Sequence, residues 1–304
     1  SGAAVLGRAL VWSGRSAVIF TDPLCSLVVE AASKAIDGPP VVAVSTAEEI
    51  MEYASFDVFI YIERLGKTSS GGYHNMRGED ITQWTAPLDD GIFLAQQKGI
   101  PVLAVGDGGN EAGMGLLFSE LARLVPEYES SLSVTQADIA LPVDVSNWGG
   151  YALTALLSLR ESRWLGQSLQ EEEDLLTAVF KAGAVDGVTK RREPSVDGFP
   201  LNEHLRLVNA LRDWWQAAMS LREKKASQHQ RNDGAYACLQ KIGGQLHWGG
   251  LCAIENGGHG GVPCDHNGGA GCDGKSLILV AKLSRDITFQ SLNNKGKGGP
   301  QRIA

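Results

Sequence analysis

Between residues 17 and 143 the chain repeats one rhythm: a short β-branched run, a longer amphipathic stretch, then another run. The runs fall at 17–21 (AVIFT), 41–44 (VVAV), 58–62 (VFIYI), 100–105 (IPVLAV) and about 139–143 (IALPV). Each is almost continuously apolar and is bounded by turn formers or charges, as expected of a strand covered on both faces in a parallel sheet. Amphipathic stretches lie at about 24–36, 47–54, 88–98, 111–124, 150–160, 171–182 and 202–216, and residues 1–10 read as an amphipathic helix already under way. This alternation predicts an α/β fold: a doubly wound, mainly parallel sheet with helices on both faces, three layers deep, followed by an irregular glycine-rich C-terminal tail.

Composition sets that tail apart. Residues 1–217 carry 16 Lys+Arg against 29 Asp+Glu, whereas residues 218–304 carry 11 against 6, so the charge changes sign. The second part also holds 16 of the 37 glycines and four of the five cysteines, Cys238, Cys252, Cys264 and Cys272. The expected organisation is an α/β domain over 1–217 and a Gly/Cys/His-enriched, poorly ordered tail over 218–304, in which only 276–283 (SLILVAKL) has the pattern of a strand. The run Cys252, His259, Cys264, Cys272 lacks the C-x-x-C pairs of a strong zinc pattern, which leaves a flexible extension or a C-terminus that does not pack here as the other readings.

Across all 304 residues, 43% hydrophobic content excludes a wholly disordered chain. No apolar run approaches the ~20 residues that a membrane helix needs. The formal charge of −8 argues against a general nucleic-acid binder, which normally shows a basic face. Neither a membrane nor a nucleic acid is therefore expected as a partner. Ser1 opens no charged-then-apolar signal, and the chain is expected to begin inside a longer protein. A single cysteine, Cys25, in the first 217 residues fits a reducing compartment.

In an open parallel sheet the ligand sits beyond the carboxyl ends of the strands. Those ends read Thr21-Asp22-Pro23, Glu63-Arg64, 106–115 (GDGGNEAGMG) and 144–150 (DVSNWGG). The glycines of 106–115 permit close backbone approach and leave amides to face an anion at the next helix's N-terminus, or else serve only the turn. A dinucleotide fingerprint starting at Gly106 fails at Glu111, and a P-loop ending Gly66-Lys67-Thr68 fails at Tyr61. The long connection over 71–89 is expected to be a binding loop. Within it Arg77 can clamp a substrate carboxylate in a planar paired contact, or pair on the surface with Glu79 or Asp80. His74 fits a solvated loop position better than a catalyst. Asp186 and Asp197, each before a glycine, either enter an acidic cleft or only make turns. As a set with Asp22, Asp107, Glu111 and Asp144 they point to a hard-cation site, because clustered carboxylates otherwise repel.

Five motifs then carry a family resemblance: 75–81 (NMRGEDI), 85–89 (TAPLD), 106–115 (GDGGNEAGMG), 146–153 (SNWGGYAL) and 182–198 (AGAVDGVTKRREPSVDG). In this order, over about residues 1–215, the chain resembles the C-terminal domain of D-glutamate cyclase. The resemblance implies a lyase (hydro-lyase) domain that converts D-glutamate to 5-oxo-D-proline with loss of water, located in the mitochondrial matrix in animal members. It also implies an upstream hydro-lyase-like domain in full-length relatives, expected to be absent from this chain. For that reaction Asp107 and Glu111 are the expected base or metal ligands, Asn110 with the Gly108 and Gly109 amides the oxyanion support, and Arg77 or Arg64 the clamp on a substrate carboxylate. Asn75 and Asn147 complete the expected substrate contacts. A divalent cation, Mg²⁺ or Mn²⁺, is expected at Asp22, Asp107 and Asp144, where it would bridge an anionic substrate to an acidic pocket. The alternative is a non-catalytic module that holds an acidic metabolite or nucleotide at 106–115 and regulates the upstream domain.

Overall fold

A computed structural model describes residues 1–242 and 276–281. The apolar runs form β1 (Ser16–Thr21), β2 (Val41–Ala43), β3 (Val58–Ile62), β4 (Val102–Gly106) and β5 (Ile139–Pro142). A separate two-stranded hairpin pairs β6 (Ser195–Val196) with β7 (Phe199–Pro200), and β8 (Ser276–Ala281) closes the series. The main sheet has six strands in the order β2-β1-β8-β3-β4-β5, every pair parallel. β8 fills the slot where the winding reverses, with Ile278 in register with Val18 on one side and Phe59 on the other. The chain divides into two compact units, Ser1–Trp215 with Gly274–Ala304, and Gln216–Asp273. The cysteines and histidine of the zinc-like run lie outside the described residues.

Side chains alternate across the sheet, and both faces are apolar. Ile19, Ile60, Ile62 and Val105 pack with α1 (Gly2–Trp12), α2 (Ser26–Lys34) and three later helices, α6 (Ser146–Arg160), α7 (Leu169–Lys181) and the start of α8 (Leu201–Ile242). The opposite face sends Phe20, Phe59, Tyr61 and Ala104 against α3 (Ala47–Tyr53) and α4 (Asp90–Gln97) through Ile50, Leu88, Ile92 and Ala95. This is the three-layer, doubly wound α/β arrangement that the sequence rhythm predicts. Local chemistry starts the helices where the pattern says they begin. Ser168 caps α7 by accepting the Glu171 N–H, and the Glu171 side chain accepts the Ser168 N–H in return. No helix among the described residues is long and apolar enough to cross a membrane.

Four elements differ from the sequence expectation. α1 is not amphipathic: every residue from Gly2 to Leu10 is buried, Arg8 included, and only Val11 and Trp12 emerge. Arg8 tolerates this because its guanidinium reaches Glu171 and the Ile36 carbonyl, and lies 4.3 Å from the Trp12 ring centroid. The stretch 111–124 is helical only from Gly115, as a 3₁₀ turn and then α5 (Phe118–Leu124). Gly113, at φ +90°, breaks the pattern, and a Cβ there would sit 2.4 Å from that of Ala104. β2 and β5 are sheet edges, so their residues are only partly covered, Ile139 being exposed.

α1 and α6 cross with their backbones in contact. A Cβ on Gly150 would lie 2.7 Å from the Gly2 carbonyl oxygen and 2.8 Å from its Cα. Neither is the end of a flexible side chain. Gly150→Ala is therefore expected to lower stability by about 1–3 kcal/mol in a urea melt, because the helices must part, while Glu30→Ala on the exposed face of α2 stays within about 0.5 kcal/mol.

Candidate active site

The chain leaves β3 through Glu63, a buried residue whose φ of +59° lies in the left-handed region that side chains usually avoid. Its N–H donates to the Val105 carbonyl at 3.2 Å, which fixes it against the end of β4. β4 runs into Asp107, whose Oδ2 accepts the N–H of Ser146 at 2.9 Å and its hydroxyl at 3.0 Å. A carboxylate from one strand end thereby caps α6, which starts after another, and its charge suits the helix N-terminus. Behind it Glu111, 1% exposed, accepts the Gly108 N–H on both oxygens at 3.0 and 3.3 Å. Carboxylate oxygens of Glu63, Asp107 and Glu111 all lie within 4.8 Å of one another. Groups of like charge this close repel unless a cation or a proton lies among them, and three hard oxygen donors suit Mg²⁺ or Mn²⁺.

A cavity of about 360 Å³ opens in front of this cluster. Glu63, Asp107 and Gly108 form its floor with Asp144, which follows β5. Asn75, Met76 and Arg77 supply a second wall, and Gly187, Val188 and Asp197 a third. Among these lining residues Arg77 alone is basic, against the carboxylates of Glu63, Asp107, Asp144 and Asp197. Asn75 shapes the turn that presents Arg77: its Oδ1 accepts the N–H groups of Arg77 at 2.9 Å and Glu79 at 3.1 Å, and its Nδ2 donates to Glu79 at 2.6 Å. Asn110 stitches this wall to the floor, donating from Nδ2 to the His74 carbonyl at 2.7 Å, while its buried Oδ1 has no hydrogen-bond partner.

The remaining residues expected at the site stand elsewhere. Asp22 does not join Asp107 and Asp144; it is 2% exposed, and its Oδ2 accepts from Arg64 at 2.5 Å while Oδ1 accepts the Cys25 N–H at 3.0 Å. Arg64, fully buried, also donates to the Ala86 carbonyl. The pair braces the end of β1 to the long loop after β3, and neither member lines the cavity, which removes Arg64 as a clamp and Asp22 as a ligand beside Asp107. Asn147 accepts the Gly2 N–H on Oδ1 at 2.7 Å and so serves the start of α1. The Gly108 N–H is directed at Glu111 and so is not offered to the cavity, and a Cβ on Gly109 would meet Leu132 and Leu121, so that glycine packs the loop. Sequence reasoning gave no role to Glu63, Met76 or Val188. For Glu63 the strand-end position was visible, and its strained backbone was not.

A profile of the family described as D-glutamate cyclase-like, C-terminal, matches residues 1–212, which include every residue of the cavity wall. The chain belongs to this family. It is also 33% identical over 184 residues to the human protein named D-glutamate cyclase, mitochondrial. That alignment covers 52% of this chain and 30% of the human protein, so the chain spans less than a third of its relative's length.

In this D-glutamate cyclase-like domain the Asp22–Arg64 brace is structural, and cutting it leaves a buried guanidinium without its counter-charge. Asp22→Ala should lower stability by about 3–5 kcal/mol, read as a reduced urea midpoint. The third wall should respond to acid. Burial alone would raise the carboxyl of Asp186, but hydrogen bonds from Ser195, Thr189, Gly198 and Val188 outweigh it and hold the group below its ordinary range. A lowered folded value means that this stabilisation is complete above the unfolded carboxyl's titration and is lost as pH falls through the folded one. Amide exchange at Val188, Thr189 and Gly198 should therefore accelerate in that acid window ahead of the β3 amides.

Proposed function

We propose that this chain binds D-glutamate in the cavity beyond β3, β4 and β5 and converts it to 5-oxo-D-proline with loss of water. The observation that supports this reading best is the charge layout of the wall: one guanidinium faces four carboxylates across about 360 Å³. A ligand with an ammonium group and carboxylates at a short spacing complements it. Arg77 takes the α-carboxylate, and Asp107 with Asp197 faces the ammonium.

The chemistry balances without a co-reactant. The amine nitrogen forms a bond to the carbon of the γ-carboxylate, one C–O bond of that carboxylate breaks, and the two protons that the ammonium loses leave with that oxygen as water. Asp107, which lines the cavity, receives the first proton and returns it to the departing oxygen. Glu111, buried behind it, acts on Asp107 and on the Gly108 turn. Holding the flexible substrate folded, with nitrogen against carbon, supplies much of the acceleration, since ring closure of a positioned chain is intramolecular. Glu63, Asp107 and Glu111 offer the donor set for a divalent cation, Mg²⁺ or Mn²⁺, which would offset the charge of the γ-carboxylate.

A second reading keeps the ligand and drops the chemistry. The chain spans 30% of the human relative, and a module that binds an acidic metabolite and regulates an upstream hydro-lyase-like domain is consistent with so small a share. In either role the name of that human relative supports a mitochondrial location, and the matrix is our proposal for the compartment.

Incubating the chain with D-glutamate, with and without Mg²⁺ or Mn²⁺, and quantifying 5-oxoproline separates the two. Turnover is expected, with Asp107→Asn reducing kcat by roughly 10²–10⁴ and Arg77→Ala raising KM about tenfold or more. Binding without product would support the regulatory module. Wild-type turnover in both Asp107→Asn and Glu111→Gln would sink the assignment of these carboxylates.

A further inference from the structure

The third wall of the cavity does not belong to the sheet edge. It is an excursion of the chain over 186–198, and one carboxylate holds both its ends. Asp186 is 5% exposed and is absent from the cavity lining. Its Oδ1 accepts the N–H groups of Val188 at 2.7 Å and Thr189 at 2.8 Å. Its Oδ2 accepts the Ser195 hydroxyl at 2.6 Å and the Gly198 N–H at 3.0 Å. Both oxygens thus accept two hydrogen bonds each, one pair from the departing strand of the loop and one from the returning strand.

The returning strand is itself held in a hairpin. Val196 pairs with Phe199 across Asp197 and Gly198, whose φ values of +52° and +82° are those of the two-residue hairpin turn that matches strand twist. The turn fixes Asp197 at the hairpin tip. Behind it Phe199 packs on Trp148 with ring centroids 5.1 Å apart. The Trp148 indole N–H donates to His204 Nδ1 at 2.9 Å, which leaves the proton on Nε2 to donate to the Phe199 carbonyl at 3.2 Å. The hairpin is therefore anchored to α6 and α8, and Asp186 ties Val188 and Thr189 to that anchor.

We propose that Asp186 is a positioning residue that sets how far Val188 and Asp197 stand from Arg77 and Asp107, and so selects an α-amino dicarboxylate of glutamate length. This rests on the function proposed above. Val188, 65% exposed, offers an apolar surface to the methylenes, and Asp197 a carboxylate to the ammonium. A loosened tie lets this wall retreat without moving Asp107, so affinity falls and the chemical step does not.

Steady-state kinetics of Asp186→Asn, Ser195→Ala and Ser195→Thr with D-glutamate, together with thermal melts, test this. Asn keeps two acceptor positions but turns an N–H₂ toward the Gly198 N–H, and the expected result is a KM raised about 10–100-fold with kcat within about threefold, by loss of hydrogen bonds to a charged acceptor. Ser195→Ala removes one bond and should raise KM about three- to tenfold, and Ser195→Thr, which keeps the hydroxyl, should restore it. If Asp186→Asn does not fold, the two Ser195 variants decide. Unchanged KM in the folded variants, or a fall in kcat at constant KM, overturns the inference while leaving the proposed function standing. An unaltered chain that neither binds nor turns over D-glutamate overturns both.

Discussion

A parallel sheet covered on both faces hands the chain, at each strand's carboxyl end, to a turn whose backbone N–H groups have no ladder to join. Left buried and unpaired, each would cost free energy comparable to a lost hydrogen bond. In this protein carboxylates take them up. Asp22 accepts from Cys25, Asp107 from Ser146, Glu111 from Gly108, Asp89 from Lys67, and Asp186 from three amides of one loop. Part of the acidity of the first 217 residues thus serves the backbone of these turns. The same demand concentrates negative charge where a ligand enters, and fold and chemistry draw on one set of side chains.

Those carboxylates divide by what else they touch. Asp22 is neutralised by Arg64, and Asp89 is fully buried, with its carboxyl raised by desolvation despite hydrogen bonds from Tyr73 and Lys67. Neither faces the cavity. Asp107 differs because capping α6 occupies one oxygen while the residue also forms part of the cavity floor. It is therefore held in place by the fold and still positioned for chemistry, which is the arrangement expected of a preorganised group. Asn75 shows the same economy on the opposite wall, where its side chain is consumed in building the turn that displays Arg77.

Much of this was legible in the sequence, for reasons that can be stated. The strands and the three-layer order follow from continuous β-branched runs between amphipathic stretches; the strand ends located Asp107, Gly108 and Asp144 on the cavity, and the long connection over 71–89 located Arg77. The pattern could not show which strand-end carboxylate meets a guanidinium, because Asp22 and Arg64 are far apart in the chain and pair only once the sheet is assembled. It overread residues 111–124, where apolar spacing looks helical but Gly113 adopts a conformation that ends any helix. It misread α1 because a helix buried on nearly every side needs small residues at its crossings, and Gly2 against Gly150 reads as two glycines until the helices are placed together. Glu63 escaped assignment since a left-handed backbone angle leaves no trace in composition.

In the loop over 186–198 the bonds to Asp186 hold the two ends together and Val196 packs on the core, while Lys190, Arg191 and Arg192 between the ends are exposed. Changes in that middle stretch perturb neither the sheet nor the floor carboxylates, and lengthening a loop whose ends are already held costs little closure entropy. The exposed crest of the loop can therefore vary while Gly187, Val188 and Asp197, which line the cavity, keep their places. Crest and lining are thereby decoupled: a change in the length of the crest leaves the width of the cavity as the two ties set it.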